Sequence, residues 1–453
     1  MNELKALAEF CANLKFEDIP EAALEVAQDS LLDFVGVCLG GSRYDIMPMI
    51  SSTLREWGGT SGCRTAAVWG HGYRAPAADA ALLIGMQGHI LEMDDSQPDS
   101  KAHPAASIIP AAWTVCEALE LNGKDLLTAI VAGYEAEARI GAAIGKAAHR
   151  KHGFHNTGTM NTFGAAAAAA RAMGLTAEQL LWAFGLAGTQ AAGLYTFLEH
   201  GANCKPLHPG RAAFNGIQSC LLAKSGMRGS EHILDAEDGG LFKAMSDLEE
   251  ADINKVACGL GADWKILRTN RKVFPSCGGT HMSIEYAMKL RIQGIDRDEI
   301  EKVDIYLNEF EAALTGTSEY PHTPTEAKFS TPFCFASGLI DGGVSVEQFL
   351  PEILSRPSVK ALASRITVHE DPAFTAKYPS PCFRAVVVLK NGRVLEYESF
   401  QKIGNWRTPM SRDEIIKKSI RLMGPVIGME DAKKVLSAVD HISTCSRLPD
   451  LAL

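Results

Sequence analysis

The residues of this sequence that are best suited to chemistry lie in one short stretch, where the carboxylates of Glu92, Asp94 and Asp95 accompany the imidazoles of His89 and His103. The segments on either side of this stretch are strongly apolar. Carboxylates and imidazoles near an apolar core are costly to desolvate, so chemistry is a natural reason to keep them there. The stretch therefore predicts an acid/base enzyme.

The spacing within this acidic cluster predicts how its members are placed. His89 and Glu92 are three residues apart and would share one face of a helix. The two aspartates stand at the predicted end of that helix, and His103 precedes the next apolar segment, where an imidazole facing carboxylates suits proton transfer. In the alternative, Asp95 and Ser96 cap main-chain groups of a turn. For the cluster as a whole we favour a catalytic role.

A second candidate segment contains His149, His152 and His155. Their spacing matches no fixed metal signature, and the intervening Arg150 and Lys151 would repel a cation, so we expect no metal here. His155 enters a loop rich in glycine and threonine, whose amides and hydroxyls can face a ligand. The other two histidines are expected to be solvated or structural.

A third segment places Lys205, His208 and Arg211 within seven residues, beside small residues that open a helix. It predicts the local basic site that an anionic substrate would need. The alternative is a solvated basic turn. The flanking prolines and the apolar helix favour a buried site.

A fourth segment contains Lys272, Cys277 and His281, with Gly278 and Gly279 between them. A Gly-Gly pair can present amide donors to a carboxylate. Cys277 is either a nucleophile or an ordinary thiol, and the second is the commoner case. His281 is a second candidate acid or base, with helix capping as the alternative.

The overall composition excludes several classes of protein. The chain has 453 residues and a formal net charge of -10. A general nucleic-acid binder or a protein of anionic membranes needs an excess of positive charge, so we expect no nucleic-acid or membrane partner. The apolar runs are too short and too interrupted to span a bilayer. The N-terminal residues show no signal-peptide pattern.

The eleven cysteines are scattered along the chain and include no C-x-x-C pair. That distribution predicts reduced thiols in a cytoplasmic protein, not a disulfide framework, a zinc site or an iron–sulfur cluster.

The elements that must position these residues are mainly helices. A helix is predicted to open at Asp18-Ile19-Pro20, with the proline in its first turn, and to end at Gly40-Gly41, and another runs over about 75–93. A third begins at Asn122, and a capping box marks one more at Thr176. Residues 1–262 therefore predict a helical domain.

The pattern changes near residue 263. Residues 303–307 and 365–369 alternate as strands do, and residues 383–400 predict a hairpin with Asn-Gly at its turn. A helix is expected over 345–354. Helical periodicity returns from Ser411 to about 440. We predict a mainly α protein in which 1–262 and 403–453 form a large helical domain and 263–402 an inserted, smaller α+β domain.

The four candidate segments, in this order, resemble the MmgE/PrpD family. The resemblance rests on His89–Asp95 with His103-Pro104, Gly153–Thr159, Lys205–Ala213, and Lys272–Pro275 followed by His281.

This resemblance implies a fold and a class of reaction. The family includes 2-methylcitrate dehydratases, cis-aconitate decarboxylases and iminodisuccinate epimerases. Its fold is a large all-helical domain with a smaller α+β lid domain, usually in a homodimer. Its site lies between the domains and uses no metal or other cofactor. We therefore expect a homodimeric enzyme that acts on a small di- or tricarboxylate.

The resemblance also implies roles for individual residues. The acidic cluster, His103, His155 and Lys205 match residues that line the family's pocket. The decarboxylases carry a histidine where Cys277 aligns and a tyrosine near Ala312. These departures argue against decarboxylation.

We expect Lys205, with Arg211 or Lys272, to neutralise substrate carboxylates and so make an α-proton removable. His103 and His155 would act as base and acid in an order that the sequence leaves open, and Asp94 or Asp95 would orient an imidazole. Dehydration of a hydroxy-tricarboxylate is the first expectation. Epimerisation of a dicarboxylate is the alternative, followed by decarboxylation and by a non-catalytic carboxylate binder.

Overall fold

The computed structural model describes residues 2–58, 64–198, 201–317 and 319–453. Helices predominate among these residues, which confirms the predicted mainly α class. The chain divides into two compact units. The first comprises Met1–Thr196, Cys204–Asn270 and Ser411–Leu453, and the second comprises Phe197–Asn203 and Arg271–Met410.

The part of the chain before residue 271 supplies most of the first unit. Its elements are α1 (Glu3–Asn13), α2 (Glu21–Gly41), α3 (Met47–Gly58), β1 (Thr65–Val68), β2 (Tyr73–Pro76), α4 (Ala77–Ile90), α5 (Ala105–Ala118), α6 (Gly123–Ile144), α7 (Asn156–Met173), α8 (Ala177–Gln190), α9 (Leu207–Lys224), α10 (Leu241–Met245) and α11 (Asn254–Ala257).

The rest of the chain forms most of the second unit and then returns to the first. The second unit contains α12 (His281–Ile292), β3 (Ile300–Leu307), α13 (Glu309–Thr315), α14 (Pro324–Lys328), α15 (Thr331–Asp341), α16 (Pro351–Leu354), α17 (Pro357–Ala363), β4 (Ile366–Glu370), α18 (Pro372–Thr375), β5 (Phe383–Leu389) and β6 (Val394–Ser399). Helices α19 (Arg412–Ile427) and α20 (Met429–Asp440) complete the first unit.

Local signals placed the long helices correctly. Helix α2 begins directly after Pro20. The Asn122 side chain accepts a hydrogen bond from the Asp125 amide at 3.0 Å at the start of α6, and Thr176 caps α8 in the same way. These side chains satisfy amides that have no partner within the helix. The six alanines of α7 are fully buried, as close helix packing requires.

Helices α2 and α19 approach each other closely. A Cβ atom built on Gly36 would lie 2.4 Å from Cβ of Ser419, so only a glycine fits on the α2 side of this contact. The Ser419 hydroxyl donates to the Leu32 carbonyl at 3.3 Å. This contact docks the end of the chain onto its beginning.

Three local predictions were wrong. The short hairpin of β1 and β2 lies in a region that was expected to be helical throughout. The helix predicted over 345–354 is broken into a 3₁₀ turn and α16, because Pro351 has no amide hydrogen to continue the first segment. The last predicted helix divides into α19 and α20 at Gly428, whose φ of 87° lies outside the helical region.

The second unit contains a four-stranded sheet in the order β4-β3-β5-β6. Strand β3 runs parallel to β4 and antiparallel to β5, and β5 and β6 form the predicted hairpin. At the hairpin turn Gly392 has a φ of 85°, which explains the Asn-Gly pair there. Alternate residues of β5 are buried in an apolar core shared with α12 and α15.

Ten of the cysteines are described, and all ten are free thiols. Cys63 lies outside the described residues. Among the helices that the structure describes, none is both long enough and apolar enough to cross a membrane.

Candidate active site

The acidic cluster lies in a tight turn, not on a helix. Helix α4 ends at Ile90, and Glu92 adopts a φ of 57°, in the left-handed region that non-glycine residues seldom occupy. The Glu92 amide donates to the His89 carbonyl at 3.1 Å. The prediction that His89 and Glu92 share a helix face was therefore wrong, because the chain leaves the helix between them.

Asp94 stands between two imidazoles. Its Oδ2 atom lies 2.7 Å from Nδ1 of His89 and 3.7 Å from Nδ1 of His103. The side chains of His89 and Asp94 are fully buried, while that of His103 is 16% exposed. A carboxylate in this position favours hydrogen on the nitrogen that faces it and stabilises an imidazolium.

The surroundings of His103 fix its tautomer. Its Nδ1 atom also lies 2.5 Å from the Asp95 carbonyl oxygen, so both neighbours of Nδ1 are acceptors. The main chain of His103 is held as well, since its amide donates to the Thr157 hydroxyl at 3.2 Å and its carbonyl accepts from the Asn161 amide group at 2.8 Å. The neutral ring therefore carries its hydrogen on Nδ1 and its basic lone pair on Nε2.

Both carboxylate oxygens of Asp95 accept hydrogen bonds that fix the local structure. Its Oδ1 accepts from the Ala105 amide at the start of α5, at 3.0 Å, and its Oδ2 accepts from the Tyr134 hydroxyl at 2.6 Å. This is the capping role that sequence left as an alternative. Ser96 is equally constrained, because it exchanges main-chain hydrogen bonds with Asn270 at 2.8 and 2.9 Å.

His155 and His208 meet at the adjoining ends of α7 and α9. Their Nδ1 atoms are 2.9 Å apart. Burial, with the Lys205 cation adding to it, holds the pKa of His155 well below its usual range. Burial also lowers the pKa of His208 to about 4, with smaller contributions from His89 and Lys205. Both rings are therefore neutral near pH 7.

His149 and Tyr195 also belong to this group, and the sequence gave no specific sign of it. The His149 ring lies 6.0 Å from that of His155 and 5.2 Å from that of Tyr195. Burial, with smaller contributions from Lys101 and Lys205, lowers the pKa of His149 to about 3. His152 is exposed and contacts Asp247 at 2.8 Å, the solvated role expected of it.

Lys205 is buried, with 5% of its surface exposed, and its ammonium forms an ion pair with Glu92, which is also 5% exposed. The predicted basic segment therefore places one cation beside the acidic turn. Arg211 occupies a different position, because it is exposed and its guanidinium lies 4.5 Å from the centre of the Phe214 ring.

One further carboxyl group lies beneath the turn and was missed. Glu137 of α6 is fully buried, and burial raises its pKa to about 8; the nearby Ser100 opposes this shift, and Asp95 and Asp99 reinforce it. Helical periodicity alone gave no sign that this acid lies near the loop 96–103.

The facing atoms of His89, Asp94 and His103 all lie within 4.8 Å of one another. Each of the two Nδ1 atoms already faces an oxygen acceptor at hydrogen-bond distance. A cation bound here would have to replace these hydrogens. One carboxylate between two imidazoles is an arrangement that suits proton transfer.

The second unit holds the remaining predicted residues. Lys272 and His281 are buried, at 5% and 2% exposure, and the His281 ring packs edge-on against Phe274 at 5.3 Å. Cys277 is a partly exposed free thiol whose amide donates to the Lys328 carbonyl at 2.8 Å. Cys277 contributes to the charge environment of Tyr378, whose phenol has a pKa that burial raises.

In the first unit these groups provide a basic imidazole nitrogen, a carboxylate that can stabilise its protonated form, neutral hydrogen-bonding rings and a cation. Together they can move a proton and hold an anionic group.

Sequence comparison assigns the family. The MmgE/PrpD N-terminal domain matches residues 5–254, and the MmgE/PrpD C-terminal domain matches residues 274–443. The chain belongs to the MmgE/PrpD family, as its motifs indicated.

Several curated relatives align over nearly the whole chain. The cis-aconitate decarboxylase-like protein oryM of Aspergillus oryzae is 27% identical, over 99% of this chain and 96% of its own. The cis-aconitate decarboxylase of Homo sapiens is 25% identical, over 99% and 95%. The 2-methylcitrate dehydratase of Escherichia coli is 23% identical, over 85% and 80%.

Proposed function

We propose that this protein is an acid/base lyase that needs no metal and removes a proton next to a carboxylate of a small di- or tricarboxylate. The observation that carries the proposal is the environment of His103. Its Nδ1 faces the Asp95 carbonyl at 2.5 Å and the Asp94 carboxylate at 3.7 Å. Nε2 is then the basic atom, and Asp94 stabilises the imidazolium that proton abstraction would form.

Lys205 is the group that we propose for the negative charge of the substrate. Removing a proton next to a carboxylate places charge on the carboxylate oxygens, and a buried cation stabilises that charge more strongly than a solvated one. Lys205 is buried and paired with Glu92. A substrate carboxylate would exchange with the Glu92 carboxylate as the partner of the ammonium.

Dehydration of a hydroxy-tricarboxylate such as 2-methylcitrate is the reaction that we place first. His103 breaks the α C–H bond, the C–O bond to the hydroxyl breaks as the C=C bond forms, and the proton on His103 leaves with the hydroxyl as water. The neutral His155 and His208 rings would orient the substrate by hydrogen bonds. Cys277, aligned where the decarboxylases carry a histidine, favours dehydration over decarboxylation.

Decarboxylation of a substrate such as cis-aconitate is the second candidate, because of the sequence comparison. The relatives named cis-aconitate decarboxylase align over 95–99% of this chain, whereas the relatives named 2-methylcitrate dehydratase align over 82–85%. Epimerisation of a dicarboxylate begins with the same α-proton abstraction as dehydration. The assay must therefore distinguish dehydration, decarboxylation and epimerisation.

The test is a proton NMR time course in D₂O with chelator-treated protein and, in turn, citrate, 2-methylcitrate, cis-aconitate and iminodisuccinate. An unsaturated product that has lost only the elements of water supports dehydration: citrate would give a vinyl proton, and 2-methylcitrate would turn its methyl doublet into an allylic methyl singlet. Loss of CO₂ identifies the second candidate, and α-proton exchange without net loss identifies an epimerase. Activity that disappears with the chelator and returns with a divalent cation would contradict the metal-free mechanism.

A further inference from the structure

A buried lysine in the last part of the chain contacts the acidic turn. Lys418 of α19 is 3% exposed. Its ammonium donates to the Met93 carbonyl oxygen at 2.7 Å and lies 2.8 Å from Oδ1 of Asp33 on α2. Met93 directly precedes Asp94, the carboxylate between the two imidazoles.

A buried lysine is energetically unfavourable at this position. Taking an ammonium out of water is strongly unfavourable unless it is paired and hydrogen-bonded, and an apolar residue of similar size is often as stable. The Asp33 side chain, 2% exposed, supplies the compensating charge. An apolar residue would lack a donor for the Met93 carbonyl, so the contact with the turn gives the lysine a specific purpose.

The helix that carries Lys418 packs closely on α2. The next residue, Ser419, packs on Gly36 with no room for a side chain there, and its hydroxyl donates to the Leu32 carbonyl. The turn itself needs such support, because Glu92 holds a φ of 57°. Positions of this kind persist only where the surrounding structure fixes them.

We propose that Lys418 is a positioning residue for Asp94, with Asp33 as its counter-ion. By fixing the Met93 carbonyl it sets where the Asp94 carboxylate lies relative to His89 and His103. The inference rests on the proposed function for its effect on turnover, but its structural part can be tested without a substrate.

The key variants are Lys418→Met and the double variant Asp33→Asn/Lys418→Met. The single variant leaves the Asp33 charge buried alone and is expected to lose stability. The double variant removes both charges and regains that stability, but it still has no donor for Met93. Lys418→Arg keeps a positive charge and hydrogen-bond donors, so we expect it to retain part of the stability and part of the activity that Lys418→Met loses. Lys417→Met, at the exposed neighbouring position, is the matched control.

Two readouts decide the matter. ¹⁵N NMR of labelled histidines in the resting protein should show altered Nδ1 signals for His89 and His103 in both Lys418→Met variants. In the assay, kcat should fall about 10- to 100-fold with a much smaller change in KM, the scale of a slightly misplaced reacting group.

A double variant with a wild-type histidine spectrum and wild-type kcat would overturn the proposal, since Lys418 would then only balance a charge. If no carboxylate is turned over by the wild type, the proposed function fails, and the histidine spectra alone decide the role of Lys418.

Discussion

The Nδ1 atoms of His155 and His208 lie 2.9 Å apart, so the two imidazoles share a single hydrogen between these nitrogens. One ring donates and the other accepts, so the accepting ring must be neutral, and the lowered pKa of both histidines makes the donor neutral as well. A proton added to the accepting nitrogen would break this hydrogen bond beside the Lys205 cation, which already lowers the pKa of both rings. The pair can hold a substrate by hydrogen bonds without adding charge.

This pair predicts a loss of stability in acid. Its sign follows from the lowered pKa of His208, which is about 4 in the folded protein against 6.5 for an ordinary histidine. Between these values the unfolded chain binds more protons, so the free energy of unfolding falls as the pH falls. In His208→Gln this dependence should be shallower by up to about 1.4 kcal/mol per pH unit.

Urea denaturation over this pH window measures the effect. His152→Gln is the matched control, because His152 is exposed and contacts Asp247 at the surface. Equal pH dependence in His208→Gln and the wild type would show that His208 is not neutral in the folded state.

Replacing the proposed base should abolish most of the activity. His103→Gln keeps a polar side chain of similar reach but has no basic nitrogen, and kcat should fall at least about a hundredfold. His152→Gln again serves as the control. Near-normal turnover in His103→Gln would exclude His103 as the base, and His155→Gln would then be examined as the other candidate.

Glu92→Gln tests whether the substrate competes for Lys205. Without the Glu92 charge the ammonium no longer has to exchange a buried partner, so KM for a carboxylate substrate should fall. Lys205→Met should raise KM and lower kcat. A rise in KM for Glu92→Gln as large as that for Lys205→Met would mean instead that Glu92 holds Lys205 in its active position.

Glu137→Gln should stabilise the protein increasingly as the pH rises. The Glu137 pKa is raised from 4.5 to about 8, so across that range the unfolded chain ionises this group while the folded protein keeps it protonated, and the free energy of unfolding falls as the pH rises. The variant keeps the shape and cannot ionise, and its advantage should grow by up to about 1.4 kcal/mol per pH unit. The measurement is the free energy of unfolding in urea at about pH 5 and about pH 8. If the difference in the free energy of unfolding between the two proteins is the same at both pH values, the pKa of Glu137 is not raised in the folded protein.

Much of the architecture could be predicted from the sequence. Proline at a helix start, Asn122 and Thr176 at their caps and Asn-Gly between two alternating segments act over a few residues, so local patterns report them. The same reasoning missed the hairpin of β1 and β2, whose strands of four residues are too short for a clear alternation.

The candidate site was also predictable only in part. Local composition identified the segments that carry Asp94, His103, His155 and Lys205, because clustered ionisable groups in an apolar setting are unusual wherever they occur. Only the tertiary structure decided which nitrogen of His103 faces an acceptor. It also decided that Lys205 meets Glu92, 113 residues away, and that Lys418 reaches Met93, 325 residues away. Periodicity and capping act within a few residues, whereas these contacts depend on how whole helices pack, and so no local pattern encodes them.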